Sequence, residues 1–199
     1  MKSDLQCQID FITEIDALKS VQRKTYLMDG SRFETSAEHS WAVATLAILL
    51  AEYAPEGTKM QRVIEMLLIH DVVEVDAGDA LLYDEAANQA KEEKEQQAAT
   101  RLFGILPEAQ AERFERLWQE FEAQQTPEAL FANALDRFIP LLHNLHTKGR
   151  AWRELGVRHE QVIDKNQKIG KASPELWHYV KERIDSLFAG RPVLPASSS

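Results

Sequence analysis

The chain has 199 residues, a length that fits one domain. Hydrophobic residues make up 44% and charged residues 28%, a composition that excludes disordered and fibrous proteins. The net charge is −9 and Lys and Arg form no cluster, so we expect no nucleic-acid partner. The longest nearly uninterrupted apolar stretch, residues 41–51, falls well short of the roughly 20 residues that a bilayer crossing needs, so we expect no membrane partner.

Two features favour a cytoplasmic location. The first residues lack the charged-then-apolar pattern of a signal peptide. Cys7 is the single cysteine and has no partner for an internal disulfide, which is typical of proteins in reducing compartments. In so acidic a chain, an anionic substrate needs local positive charge, either from a bound metal ion or from a few arginines in a pocket.

Helical periodicity dominates the sequence from end to end. Apolar residues at spacings of three and four predict a first helix, and the turn signal Asp29-Gly30 follows it in a loop. Ser36 is the expected N-cap of the next helix, and Ser173-Pro174 begins the last one. The predicted helices cover residues 5–20, 36–53, 60–73, 84–104, 107–124, 127–145, 159–168 and 174–189.

The fold prediction is an all-α protein. No segment shows the turn-bounded alternation of a β-strand. Pro140 lies within a predicted helix and is expected to kink it. Residues 1–190 are predicted to form a single domain, and residues 191–199 a flexible tail.

Four polar residues stand out because they lie in or beside apolar helical stretches. His39 begins the second helix, His70-Asp71 ends the third, and Asp136 is surrounded by apolar residues in a later one. A buried carboxylate without a partner is costly, so each residue needs one. Two imidazoles and two carboxylates that converge on one cation satisfy all four, and such a mixed set of ligands suits a divalent transition metal.

A structural interpretation competes with this one. A single histidine at a helix start is more often structural than a ligand, and Asp136 has a basic neighbour, Arg137, with which it can pair. Spacing along the sequence does not establish that the four side chains meet, so both interpretations stay open at this point. His143 and His146 raise the question of a second metal, and we interpret them as surface or pocket residues.

The order His39, His70-Asp71, Asp136 resembles the metal-binding signature of the HD superfamily of metal-dependent phosphohydrolases. Further stretches resemble its bacterial 5′-deoxynucleotidase branch. They are AEHSW at 37–41, HDVVEVDAGD at 70–79, TPEA at 126–129 and ALDR at 134–137. The similarity covers roughly residues 5–150 and implies the helical bundle of an HD domain.

The resemblance implies roles for seven residues. The metal ligands are His39, His70, Asp71 and Asp136. Glu74 matches the acid that acts on the water at the metal, and Asp79 matches an acid that positions substrate and water, so both are expected to be catalytic. Arg23 matches an arginine that contacts the substrate phosphate in related nucleotidases.

One departure from the family pattern follows Arg23. Related nucleotidases have a tryptophan near the sugar there, whereas this chain has Lys24-Thr25-Tyr26, so a preference for deoxyribose does not follow from the motif. The expected cofactor is one divalent metal ion per chain, which is Mn²⁺, Co²⁺, Zn²⁺, Fe²⁺, Ni²⁺ or Mg²⁺. The family also implies a homodimer.

We therefore expect a metal-dependent phosphohydrolase that acts on a small phosphorylated metabolite, most simply a nucleoside 5′-monophosphate, to give nucleoside and phosphate. One alternative is an HD hydrolase of another phosphate ester, such as an alarmone or a nucleoside triphosphate, although the few basic residues argue against a large polyanion. The other is a non-catalytic helical binding module, against which the intact ligand set with Glu74 and Asp79 argues.

Overall fold

The computed structural model describes residues 2–79 and 85–191, and helices dominate both parts. In chain order the elements are α1 Asp4–Ile15, β1 Gln22–Tyr26, β2 Phe33–Thr35, α2 Ser36–Leu49, α3 Met60–Ile69, α4 Glu74–Ala77, α5 Glu85–Phe103, α6 Glu108–Ala123, α7 Pro127–His146, α8 Arg150–Glu154, α9 His159–Asn166, α10 Ile169–Ala172 and α11 Pro174–Phe188. Short 3-10 turns lie at Asp16–Ser20, Ala51–Tyr53 and His70–Val73. The all-α prediction is confirmed, while residues 192–199 of the predicted tail lie outside the described residues.

None of the described helices combines the length and the apolar character that a bilayer crossing requires.

An antiparallel hairpin lies where the sequence predicted only a loop. β1 and β2 pair with Gln22 opposite Thr35 and Tyr26 opposite Phe33, and the register is irregular between these pairs. The prediction that no segment forms a strand was therefore wrong. The strands are short and mostly polar, so the apolar alternation that predicts a strand is missing from the sequence.

Several helices begin at a capping side chain. Side-chain oxygens accept hydrogen bonds from the first turns of α1, α7 and α11 at Ser3, Thr126 and Ser173. The cap of α2 is Thr35 rather than Ser36, because Thr35 and Glu38 form a reciprocal capping box. The Ser36 hydroxyl is buried and instead donates a hydrogen bond of 2.6 Å to Glu74 Oε2.

The third predicted helix, over 60–73, changes geometry before its end. α3 stops at Ile69, and the chain tightens into the 3-10 turn His70–Val73 before α4 begins. A 3-10 turn has about 3.0 residues per turn instead of 3.6, which changes the direction in which successive side chains leave the backbone. All residues from His70 to Glu74 are buried, including both acids and the histidine.

The core forms around α7, which contacts α2, α3, α6, α10 and α11. Its buried apolar side chains include Phe131, Leu135, Phe138, Leu141 and Leu145. Burying such a side chain fully contributes about 1.5–3 kcal/mol. Because α7 is packed on several sides, a polar residue on it, such as Asp136, is held in a fixed position.

Candidate metal centre and active site

A pocket of about 240 Å³ is lined by the hairpin, the 3-10 turn at His70–Val73, the end of α6, and α7. Its lining combines charged side chains with an apolar group. The apolar side chains are Phe121, Pro140, Leu141, Ala151, Trp152 and Leu155. Such a mixture suits a ligand that has one polar and one apolar part.

His39, His70 and Asp136 bring three potential metal ligands together. His39 Nε2 lies 2.8 Å from Asp136 Oδ1, and His70 Nε2 lies 3.6 Å from the same oxygen. The three ligand atoms all lie within 4.8 Å of one another. Two ligand atoms that bind one cation at about 2.1 Å and at a right angle are about 3 Å apart, so these spacings fit a single ion.

Asp71 lies beside this group. Its Oδ1 is 3.1 Å from His70 Nε2, and its Oδ2 accepts a hydrogen bond of 2.8 Å from Arg23 Nη1. His70 Nε2 is buried and has no hydrogen-bond partner among the described residues. A buried nitrogen that faces two carboxylates without making a hydrogen bond of its own fits a metal ligand.

The backbone orients the His70 ring. Its Nδ1 lies 2.9 Å from the carbonyl oxygen of Leu67. A carbonyl can only accept, so Nδ1 carries the proton and donates it, which leaves the lone pair of neutral His70 on Nε2. That nitrogen faces Asp71 and Asp136, so the ring presents a ligand atom to the group.

The electrostatics of the group favour positive charge at its centre. Burial would raise the pKa of Asp136, but the hydrogen bond with His39 and the nearby ring of His70 hold it well below its usual range. Burial and the charge of Arg23 would lower the pKa of His39, but Asp136 and Glu34 raise it to about 9. Protons on the imidazoles and a divalent ion therefore compete for the same place.

Glu74, at the start of α4, is 3% exposed and lines the same pocket. Burial and the negative charge of Asp71 raise the pKa of its carboxyl above the usual value, and Asp79 adds to this while Arg23 opposes it. The Ser36 hydroxyl holds one of its oxygens. A carboxyl whose pKa is raised toward neutrality is suited to taking up and returning a proton.

Arg23 lies on β1 with a side chain that is 13% exposed. Its Nη1 donates to Asp71 and lies 3.9 Å from Asp79 Oδ1. Burial would lower the pKa of Arg23, but Asp71, Asp79 and Glu74 raise it, so the guanidinium stays charged. Gly78, with a φ of 73°, ends α4 and turns the chain so that Asp79 lines the pocket.

The structure thus places the seven residues singled out in the sequence around one pocket. Six of them line it, namely Arg23, His70, Asp71, Glu74, Asp79 and Asp136. His39 is fully buried and joins them through its contact with Asp136. His143 is buried but belongs to no ligand group of three within the described residues, and His146 is exposed.

Sequence reasoning missed two parts of the site. Glu34 is a buried carboxylate whose Oε2 lies 3.4 Å from His39 Nδ1. Its strand neighbours Phe33 and Thr35 are less buried than Glu34. The usual rule that apolar residues face the interior would therefore have assigned Glu34 to the exposed face of the strand. Trp152 and Leu155, which belong to the apolar wall of the pocket, lie in a stretch without a motif, so no sequence signal pointed to them.

The family model for the HD domain matches residues 15–177, which is well over half of the chain and includes all seven residues. The chain belongs to the HD domain family, which confirms the resemblance found in the sequence.

Two solved structures are similar to this chain. A crystal structure of a predicted metal-dependent phosphohydrolase from Magnetospirillum magnetotacticum MS-1 is 49% identical to this chain, with a TM-score of 0.91 over 94% of each chain. A conserved hypothetical protein from Pyrococcus furiosus is 22% identical and has a TM-score of 0.60 over 90% of this chain and 98% of the other. The second likeness shows the fold alone.

The curated relatives include 5′-deoxynucleotidases. The 5′-deoxynucleotidase HDDC2 of Bos taurus is 27% identical over 130 residues, which are 65% of this chain and 62% of the relative. The 5′-deoxynucleotidase hdd1 of Schizosaccharomyces pombe is 27% identical over 135 residues, which are 65% of this chain and 67% of the relative. The chain therefore matches somewhat less than two thirds of the length of the first of these.

Proposed function

We propose that this protein is a divalent-metal-dependent phosphohydrolase that converts nucleoside 5′-monophosphates to nucleoside and phosphate. The observation that carries the proposal is the group of His39, His70 and Asp136, which lies in one pocket with Arg23 and Glu74. The similarity to a predicted metal-dependent phosphohydrolase and to 5′-deoxynucleotidases supports it.

The proposed metal ligands are the donor atoms of His39, His70, Asp71 and Asp136, which converge in the geometry described above. A divalent cation bound there supplies Lewis-acid activation of the phosphoryl group and of water. The mixed nitrogen and oxygen set is compatible with Mn²⁺, Co²⁺, Zn²⁺, Fe²⁺ or Ni²⁺, and less suited to Mg²⁺, which prefers oxygen ligands. We propose one ion per chain, because the described residues hold one such group of ligands.

The chain's own residues supply the other parts of the reaction. Arg23 grips phosphate oxygens with its guanidinium fork. Glu74 accepts the proton of the attacking water and returns it to the leaving 5′ oxygen of the nucleoside. Asp79, whose Oδ1 lies 3.9 Å from Arg23 Nη1, orients the water and the substrate. Trp152 and Leu141 belong to the apolar wall that can take the nucleoside.

The charge of the pocket favours a monophosphate over a larger polyanion. Its lining contains six carboxylates, those of Asp71, Glu74, Asp79, Glu95, Glu122 and Asp136. Among the described residues, three permanent cations accompany them, those of Arg23, Lys24 and Arg137. A nucleoside triphosphate or an alarmone would add several negative charges to this surplus, so these esters are the weaker candidates.

Two substrate series test the proposal. Protein stripped with a chelator is reloaded with each of the six metals, and phosphate release is measured for deoxyribonucleoside and ribonucleoside 5′-monophosphates. Nucleoside 3′-monophosphates and triphosphates serve as controls. We expect no release without metal, restoration by at least one transition metal, and turnover of the 5′ series. Full activity of verified metal-free protein would overturn the mechanism, and turnover of triphosphates alone would overturn the substrate.

A homodimer is part of the proposal, because apolar side chains lie exposed on two helices. They are Leu5, Ile9 and Ile12 on α1, and Trp41, Ile48 and Leu49 on α2. Trp41 is 70% exposed, which is unusual for so large an apolar side chain. Light scattering should give the mass of two chains, and Trp41→Glu should lower it. A wild-type monomer at micromolar concentration would contradict the dimer.

The remaining proposals concern location and domain extent. A cytoplasmic location rests on the single cysteine, and cell fractionation tests it. A single domain over residues 1–190 is tested by limited proteolysis, which should leave a stable core of nearly this length.

A further inference from the structure

Glu34 is a charged residue in the interior that the proposed mechanism does not use. It lies in β2, five residues before His39, and only 2% of it is exposed. A carboxylate at such a depth is costly unless polar groups satisfy it. The groups that surround it therefore indicate what it does.

Three nitrogen atoms face one oxygen of Glu34. Its Oε2 lies 3.4 Å from His39 Nδ1, 3.8 Å from Arg23 Nε and 3.9 Å from His143 Nδ1. Each of these nitrogens is buried, as is Oε2, and none of the four atoms makes a hydrogen bond of standard geometry to a described residue. Ion-pair distances therefore link these four buried polar atoms.

The contact with His39 fixes which nitrogen of the ring carries the proton. His39 Nε2 faces Asp136 and is the proposed ligand atom, so it must keep its lone pair. Nδ1 then carries the proton, and a carboxylate is the acceptor that matches it. Glu34 does for His39 what the Leu67 carbonyl does for His70.

Glu34 also faces the guanidinium of Arg23 at ion-pair distance. Nε faces Glu34 while Nη1 donates to Asp71, so two carboxylates hold two edges of one planar group. A guanidinium held at these edges presents its remaining N–H groups in a fixed direction. Glu34 therefore contacts both a proposed metal ligand and the proposed phosphate-binding residue.

We propose that Glu34 is a positioning residue that orients the metal ligand His39 and the phosphate-binding Arg23 together. The inference rests on the proposed function for the roles of those two residues. It predicts that one substitution, at a residue outside the pocket lining, weakens both metal binding and substrate binding.

Glu34→Gln tests the inference with little change of size. The amide offers one acceptor and adds a donor among N–H groups, so it favours the His39 form that carries its proton on Nε2. We expect the dissociation constant for Zn²⁺, measured by competition with a chelating dye, to rise about 10–100-fold. At saturating metal, the KM for the best nucleoside monophosphate should also rise. Glu34→Asp keeps the charge and should recover part of both losses.

Glu38→Gln is the matched control, because Glu38 lies one residue from His39 but pairs with exposed Arg32. Its zinc affinity and KM should equal those of the wild type. A purely structural role of Glu34 would lower the active fraction of Glu34→Gln and leave both constants unchanged. Wild-type constants in folded Glu34→Gln would therefore overturn the proposal.

A measurement on the wild type decides the matter if Glu34→Gln does not fold. Long-range ¹H–¹⁵N correlation on the zinc-loaded protein should show His39 with its proton on Nδ1, and an Nε2–H form would overturn the proposal. Zinc affinity and tautomer are both read without substrate. These two measurements can contradict the role of Glu34 even if the protein hydrolyses nucleotides, and they can support it even if the protein hydrolyses none. The inference and the proposed function are therefore tested separately.

Discussion

Two arginine–carboxylate pairs of nearly equal length lie in opposite environments. Arg23 Nη1 and Asp71 Oδ2 are 2.8 Å apart, and their side chains are 13% and 10% exposed. Arg150 Nε and Glu154 Oε1 are 2.9 Å apart, and their side chains are 44% and 48% exposed. Both contacts join a guanidinium to a carboxylate, and the two pairs differ clearly in burial.

The free-energy consequences of the two pairs differ. Water already screens the exposed pair, so its loss changes stability little. The buried pair has lost its hydration at a cost of several kcal/mol per ion, and hydrophobic residues in its place would often stabilise the fold as well or better. A buried pair is therefore weak evidence for stability, and here its position beside His70 indicates a use in the site.

Breaking the buried pair of Arg23 and Asp71 should have the largest effect. Asp71→Ala should abolish both metal retention and phosphohydrolase activity, because it removes a proposed ligand and leaves Arg23 facing the metal without its partner. Helical content, measured by circular dichroism, should stay largely intact. Glu154→Ala makes the matching change in the exposed pair and should keep both properties. Full metal occupancy of Asp71→Ala in elemental analysis would contradict the assignment of Asp71 as a metal ligand.

A smaller effect separates proton transfer from metal binding. Glu74→Gln keeps the size of the side chain but cannot accept and return a proton near neutral pH. Its kcat should fall by about 10²–10⁴-fold while metal content stays at the wild-type level. Metal stoichiometry and kcat are measured on one preparation. A joint loss would make Glu74 a ligand, and a wild-type kcat would leave Asp79 as the remaining acid.

The buried arginine gives the next effect. Arg23→Ala should raise the KM for a nucleoside monophosphate and lower kcat/KM by about 10–100-fold, the usual loss of a hydrogen bond to a charged group. Steady-state kinetics at saturating metal measure it. Arg116→Ala, which removes an exposed arginine paired with Glu112, is the control. Unchanged kinetics of Arg23→Ala would move the phosphate contact to Lys24 or Arg137.

The smallest expected effect concerns the exposed pair of Arg32 and Glu38, and it depends on pH. The hydrogen bonds from Arg32 and the Thr35 backbone lower the pKa of Glu38 from 4.5 to about 2. Ionised Glu38 therefore stabilises the folded protein above pH 4.5, and this contribution is lost as the pH falls toward 2. Glu38→Gln should lower Tm by about 1–4 °C at pH 7. The difference should shrink at pH 3, and a constant difference would contradict the linkage.

The sequence predicted which site residues lie close together, but not the local backbone geometry beside them. The spacing of His39, His70-Asp71 and Asp136, with the family resemblance, identified residues that the structure does bring together. Periodicity predicted the long helices but not the 3-10 turn after Ile69, because apolar spacing is insensitive to a local change of pitch.

The elements that the sequence did not predict share a physical cause. The strands of the hairpin are polar, and the residue that β2 buries is its glutamate, so hydrophobicity gives the reverse of the observed orientation. The short helices α8 and α10 lie outside the predicted ranges, since four or five residues hold too little of a helical period to recognise. Each of these features is set by tertiary contacts rather than by local sequence.

The hairpin also constrains how relatives of this protein can diverge. Arg23 lies on one strand and Glu34 on the other, and inserting one residue within either strand would turn its side chains to the opposite face. The turn between the strands, where Met28, Asp29 and Ser31 are exposed, carries no such restriction. Insertions and deletions among homologues should therefore gather at this turn, while the strand lengths stay constant.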